Sequence, residues 1–140
     1  AEDGVVCVLD DWSKQGLSPA GWAAFAVEAY EAHEADRIVA ETNMGGDMVV
    51  ELIKQVDETV PVQKVHATRD KRTRAEPVAA MYERGTVRHA RSFGALEDQM
   101  CGYVGGSTRK SPDRMDALVW AVTALTKAPP PTAQPRVRSV

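Results

Sequence analysis

Cysteine is nearly absent from this chain: Cys7 and Cys101 are the only two in 140 residues. They lie far apart, fit no metal-ligand spacing, and read as small buried hydrophobes in a reducing compartment. No hydrophobic run approaches the roughly 18 apolar residues of a membrane span, and the N-terminus lacks a signal-peptide pattern. The Gly-rich stretch with Gly102, Gly105, Gly106, Ser107 and Thr108 lacks the Gly-x-x-x-x-Gly-Lys-Ser/Thr order of a phosphate-cradling loop. No ATP motor is therefore encoded here. A flavodoxin-like nucleotide-binding domain would need a Gly-rich turn after its first strand, and Asp10-Asp11-Trp12-Ser13 is not one. What remains is ordinary globular composition, 44 % apolar and 26 % charged. The length suits one domain that buries roughly two-thirds of its unfolded surface.

Strand and helix signals alternate along the chain. Val5 to Leu9 is apolar and β-branched and reads as a strand. Asp10 and Asp11 then begin a turn before Gly16. Ser18-Pro19 is a cap followed by proline at the first helical position, and Trp22, Phe25, Ala26, Ala29 and Tyr30 recur at helical spacing. His33, at the exposed end of that helix, reads as solvated. Ile38 to Glu41 is a second strand, Met48 to Val56 a helix with Val49, Leu52, Ile53 and Val56 on one face, and Val60 to His66 a third strand. Asp47 reads as a cap. Ala67 to Arg74 reads as a polar basic loop, Glu76-Pro77 as the opening of a helix that Gly85 stops, Thr86 to Ala90 as an edge strand carrying His89, and Leu96 to Met100 as a short helix. A last helix ends near Lys127. This order argues for an α/β layer with mainly parallel pairing. Residues 1–127 form the domain, and residues 128–140 a Pro-rich flexible tail.

Charge is unevenly placed. Residues 1–63 carry 3 basic and 13 acidic side chains, whereas residues 64–91 carry 8 basic and 3 acidic. A concentrated basic segment is the footprint of a phosphate-backbone binder, and equally of a solvated face.

The acids are the most informative residues. In Ser111-Pro112-Asp113-Arg114-Met115-Asp116 a capping serine and a first-turn proline start a helix. Asp113 and Asp116, three apart, then share one face of it. Leu118, Val119, Val122 and Leu125 follow as its buried stripe. Two carboxylates at the buried end of such a helix either pair with a cation, a divalent metal being the usual one, or complement the helix dipole. Glu41 ends its strand, and in an open α/β sheet that is the rim where ligands bind.

Four segments together resemble one known family. They are Asp36 to Val49, Arg74 to Glu83, Leu96 to Cys101 and Ser111 to Leu118, occurring in that order. They look like the C-terminal nuclease domain of the large terminase subunit of phages or gene-transfer-agent-like particles. The resemblance runs over roughly residues 5–127. It implies an RNase H-like mixed sheet flanked by helices and an endonuclease that cuts double-stranded DNA during viral genome packaging. It further implies a two-metal Mg2+ or Mn2+ site. By resemblance Glu41 matches the second acidic motif and Asp116 the third, with Asp113 in an auxiliary position. Val5 to Ser13 resembles the family's third strand, so the first two strands, and the first acidic motif that they carry, are expected to be absent. Arg69, Lys71, Arg72 and Arg74 are the expected DNA contacts. The resemblance also implies a packaging ATPase domain, the portal and the small terminase subunit as partners, with no membrane, in the host-cell cytoplasm. The alternative is a non-catalytic DNA-binding or motor-docking module on the same fold.

Overall fold

Ser18 starts the first helix as the sequence predicts. Its backbone is extended, and its hydroxyl accepts from the Gly21 amide at 3.1 Å, one residue beyond Pro19 and Ala20. The computed structural model describes residues 4–42, 47–102 and 113–127. Within these the chain runs β1 (Val6–Val8), α1 (Pro19–Ala32), β2 (Ile38–Glu41), α2 (Asp47–Val56), β3 (Val62–Val65), α3 (Lys71–Glu83), β4 (Val87–His89), α4 (Gly94–Gly102) and α5 (Asp113–Lys127). The capping pair Ser111-Pro112, residues 43–46, most of the Gly-rich stretch and the Pro-rich tail lie outside the described residues.

The strands pair in parallel, as expected, but in two small sheets among the described residues and not in one mixed sheet. β1 pairs with β4, with Cys7 opposite Arg88, and β2 pairs with β3, with Glu41 opposite Val65. Each sheet has its own core. Val6 and Val87 pack with Val78, Phe93, Leu96, Leu118, Val119 and Val122 from α3, α5 and the α4 region. The β2–β3 sheet packs Ile38 and Val62 against Ala23, Val27, Ile53 and Val60 beneath α1 and α2. Ile53 and Val122 are fully buried, and each contributes roughly 1.5–3 kcal/mol relative to exposure.

Several expectations shift by a turn or a face. On α1 the buried residues are Ala23 and Val27, while Trp22 is 39 % exposed. Small side chains let α1 approach α2 closely, which turns the bulky ring outward. Val56 and Leu125 end their helices exposed, beyond the reach of the cores. Cys7 and Cys101 are both exposed, not buried. Cys7 lies between Val6 and Val8, and strand alternation sends it to the opposite face.

The segment read as a loop through Arg74 is helical from Lys71. Asp70 caps it, accepting from the Thr73 amide at 2.7 Å. Pro77 therefore lies inside α3, on its exposed side. Proline there removes one hydrogen bond, but the cap and the packing of Val78 hold the helix. Gly85 ends it with φ +72°, as its lack of a Cβ permits. Likewise α4 extends past Met100 to include Cys101 and Gly102.

His89 is not a plain edge side chain. It is half-buried, its Nε2 lies 2.6 Å from the Tyr82 hydroxyl, and its ring meets Tyr82 edge-on. His33 is likewise engaged, 3.4 Å from Asp10 and edge-on to Trp12.

Candidate functional site

The two cores meet where the end of β2 reaches the middle of α5. Glu41 is the last residue of β2, at the carboxyl rim of a parallel pair. Trp120 of α5 donates its indole N–H to Glu41 Oε2 at 3.0 Å. The guanidinium of Arg74, on α3, lies over the Trp120 ring at 4.9 Å from its centroid. Its NH2 donates to Asp116 Oδ1 at 2.8 Å. Lys71 Nζ lies 3.3 Å from Asp113 Oδ1 and 3.9 Å from Asp116 Oδ2. Sequence reasoning named Glu41, Asp113, Asp116, Lys71 and Arg74, and the structure joins these five into one chain of contacts through Trp120. Arg69 and Arg72 stay exposed beside it.

Local structure explains the arrangement. Lys71 and Arg74 face Asp113 and Asp116 at the same sequence offset of 42. The first turns of α3 and α5 therefore lie side by side and run the same way. The acids sit favourably at the positive end of α5. Gln99 of α4 adds a cap, its Oε1 accepting from the amides of Arg114 at 3.0 Å and Met115 at 3.2 Å. Arg114 in turn donates to Asp11 at 2.8 Å, which ties the end of β1 to α5.

Burial raises the stakes of the inner pair. The Asp116 side chain is 8 % exposed and that of Arg74 is 11 % exposed. Charges so far from water need partners. Arg74 NH1 donates to the Arg69 carbonyl, yet its Nε is buried without an acceptor among the described residues.

A second polar cluster holds the end of β1. Asp10 accepts from the Asp11 amide and from Trp12 Nε1, both at 2.9 Å, and pairs with Arg91. The Trp12 hydrogen bond, then those of Arg91 and the Asp11 amide, hold the Asp10 carboxyl below its usual range against the opposing effect of burial. Asp10 and Asp11 are thus occupied by arginines, a tryptophan and their own turn. Beside them an apolar groove of about 410 Å³ runs along β1, lined in part by Cys7, Leu9, Ala117, Ala121 and Leu125.

Glu41 and Asp116 are the hard oxygen donors that Mg2+ or Mn2+ takes, so the donor chemistry fits such an ion. Among the described residues no three His, Cys, Asp or Glu side chains converge as a ready ligand set. Trp120 and Gln99 were not singled out from the sequence. Trp120 carried a usable signal, since it follows Asp116 by four residues and so shares its helix face.

The described residues thus form an α/β domain in which Glu41 ends a strand and Asp113 and Asp116, at the head of α5, face the basic first turn of α3. A family model described as the terminase RNaseH-like domain matches residues 1–125, and the chain belongs to that family. No curated protein and no solved structure matches it. Among the described residues no helix is long and apolar enough to cross a membrane.

Proposed function

We propose that this domain is a metal-dependent endonuclease that cuts double-stranded DNA during viral genome packaging. The observation that carries the reading is the seam: Glu41 from one core and Asp116 from the other are brought to a common bridge, Trp120 and Arg74, in a terminase RNaseH-like domain. Glu41 and Asp116 would hold Mg2+ or Mn2+, with Asp113 in support. When bound, such ions polarise a scissile phosphate and raise the acidity of a water. The chain's own residues orient the site: Trp120 fixes one Glu41 oxygen, and Gln99 fixes the turn that carries Asp113 and Asp116. Arg69, Lys71 and Arg72 would meet the DNA backbone. The packaging ATPase, the portal and the small subunit are the partners that this reading implies, within the host cell.

The sheet belongs to the same proposal. Among the described residues β1 pairs with β4 alone, and the apolar groove runs beside it. Further strands of an RNase H-like sheet, with the first acidic motif, would lie along that groove.

The test is nicking of supercoiled plasmid by the 140-residue chain in Mn2+, in Mg2+ and in chelator. Metal-dependent nicking that Asp116→Asn removes supports the reading, and no nicking with either metal refutes it for this chain.

A second reading has its own observation. Because Asp116 is already met by Arg74 and Lys71, a non-catalytic DNA-binding or motor-docking module would look the same. Calorimetric titration with Mn2+ separates the two, since such a module takes up no ion.

A further inference from the structure

We infer that Arg74 is a built-in counter-ion of Asp116 that competes with divalent metal for the carboxylate and so sets the metal affinity of the site. The inference rests on the metal-binding reading above. It concerns what Arg74 does, a residue otherwise grouped with the DNA contacts.

Four observations carry it. The guanidinium binds Asp116 Oδ1 directly, at 2.8 Å, with both side chains largely out of water. The guanidinium takes one lone-pair direction of that oxygen and sets a positive charge against it, so pairing and metal binding compete there. The guanidinium is also aligned by its surroundings, with the Trp120 ring against it and the Arg69 carbonyl accepting from NH1. Trp120 is itself bonded to Glu41, so one chain of contacts runs from Asp116 through the cation and the indole to the other acid.

The resting place is, third, an imperfect one. Arg74 lies in the first turns of α3, where the helix end disfavours a positive charge. Asp116 is the charge that holds it. The Arg74 Nε–H, fourth, is buried with no acceptor among the described residues, and an unmet buried donor favours release. When a divalent ion takes the Asp116 oxygen, the guanidinium loses its partner and keeps a free donor edge. A phosphate oxygen satisfies such an edge well. Arg74 is thus a positioning residue: it holds Asp116 in the metal-free protein and is released by the metal. Lys71, 3.9 Å from the other Asp116 oxygen and closer to Asp113, supports the same resting state more weakly.

The test compares the 140-residue chain with Arg74→Gln and Arg74→Lys. Mn2+ affinity is read by calorimetry, and unfolding temperature is read with and without Mn2+. The glutamine keeps a polar side chain without the charge; the lysine keeps the charge without the planar fork. The expected result is Mn2+ binding about tenfold tighter in Arg74→Gln, within the usual range of coupling between competing ligands. Arg74→Lys should fall between it and the parent. Without metal Arg74→Gln should melt lower than the parent, and Mn2+ should raise its melting temperature by more. A purely structural ion pair would lower the melting temperature and leave Mn2+ affinity unchanged or weaker, which overturns the inference while the metal site stands. If neither the parent nor a variant binds millimolar Mn2+, the metal-site reading fails and the inference falls with it. Should Arg74→Gln not fold, Arg74→Lys alone decides, since affinity no higher than the parent's also overturns the inference.

Discussion

Trp120 donates its indole N–H to Glu41 at 3.0 Å, and this bond joins a helix of one hydrophobic core to a strand of the other. Trp120→Phe keeps an aromatic ring beneath Arg74 but removes the N–H. The expected loss is about 1 kcal/mol of stability, the worth of one partly buried hydrogen bond. A drop in nicking should accompany it, because Glu41 is no longer held in one orientation. Thermal unfolding and plasmid nicking check both. Unchanged nicking would mean that Glu41 needs no such restraint.

Asp116→Asn should bring cleavage to background while the domain stays folded. Asparagine retains an oxygen for Arg74 but not the charge that would bind metal. The Arg74 guanidinium then remains buried opposite a neutral group, so the melting temperature should fall, by an amount equivalent to about 1–3 kcal/mol. Nicking at the parent's rate in Mn2+ would remove Asp116 from the site.

The helix pattern and the strand ends were legible from the residues. β2 ends at Glu41 as the sequence indicates, and α5 carries Asp113 and Asp116 in its first turn. What was not legible came from tertiary contacts and from competing local rules. Pro77 suggested a helix start at Glu76, but the Asp70 side chain caps the Thr73 amide and starts α3 at Lys71. That one turn matters, because it puts Lys71 and Arg74 on a helix face and aims them at the acids. Periodicity gave α1 a stripe containing Trp22, whereas close packing against α2 selected Ala23 and Val27. No sequence pattern could say that Arg74 faces inward to Asp116 and not outward, since that depends on the offset between α3 and α5.

Alkaline pH should weaken the fold through Tyr82. Burial, with a smaller effect of Glu97, pushes its hydroxyl up from 10.0 to about 12. In the unfolded chain the hydroxyl ionises first, near its ordinary value; the folded chain holds the proton longer. Between those values the unfolded state binds fewer protons, so stability falls as pH rises through that window and is unaffected by this group below it. The ring is only half-buried. The slope should therefore lie well below the ~1.4 kcal/mol per pH unit of a full proton difference. Tyr82→Phe should flatten the decline while forfeiting the hydrogen bond to His89 at neutral pH. Denaturant unfolding from about pH 9 to about pH 12, the range that brackets the titration, measures it. An equal slope in both proteins would assign the decline to other groups.

Arg69 and Arg72 are exposed cations beside the acids, whereas Lys71 and Arg74 face Asp113 and Asp116. The exposed pair can therefore be tested apart from the two cations that meet the acids. Arg69→Ala with Arg72→Ala should leave the fold intact, because Arg74 uses the Arg69 backbone carbonyl and not its side chain. Removing one phosphate-binding cation should reduce the magnitude of the log–log salt slope by about 0.9, so removing the pair should reduce it by about 1.8. The weakening should be independent of DNA sequence, since phosphate recognition carries no base information. Filter binding across a salt series measures the slope, with thermal unfolding as the control for folding. A slope identical to the parent's would make these two arginines a solvated face and place the DNA backbone elsewhere on the domain.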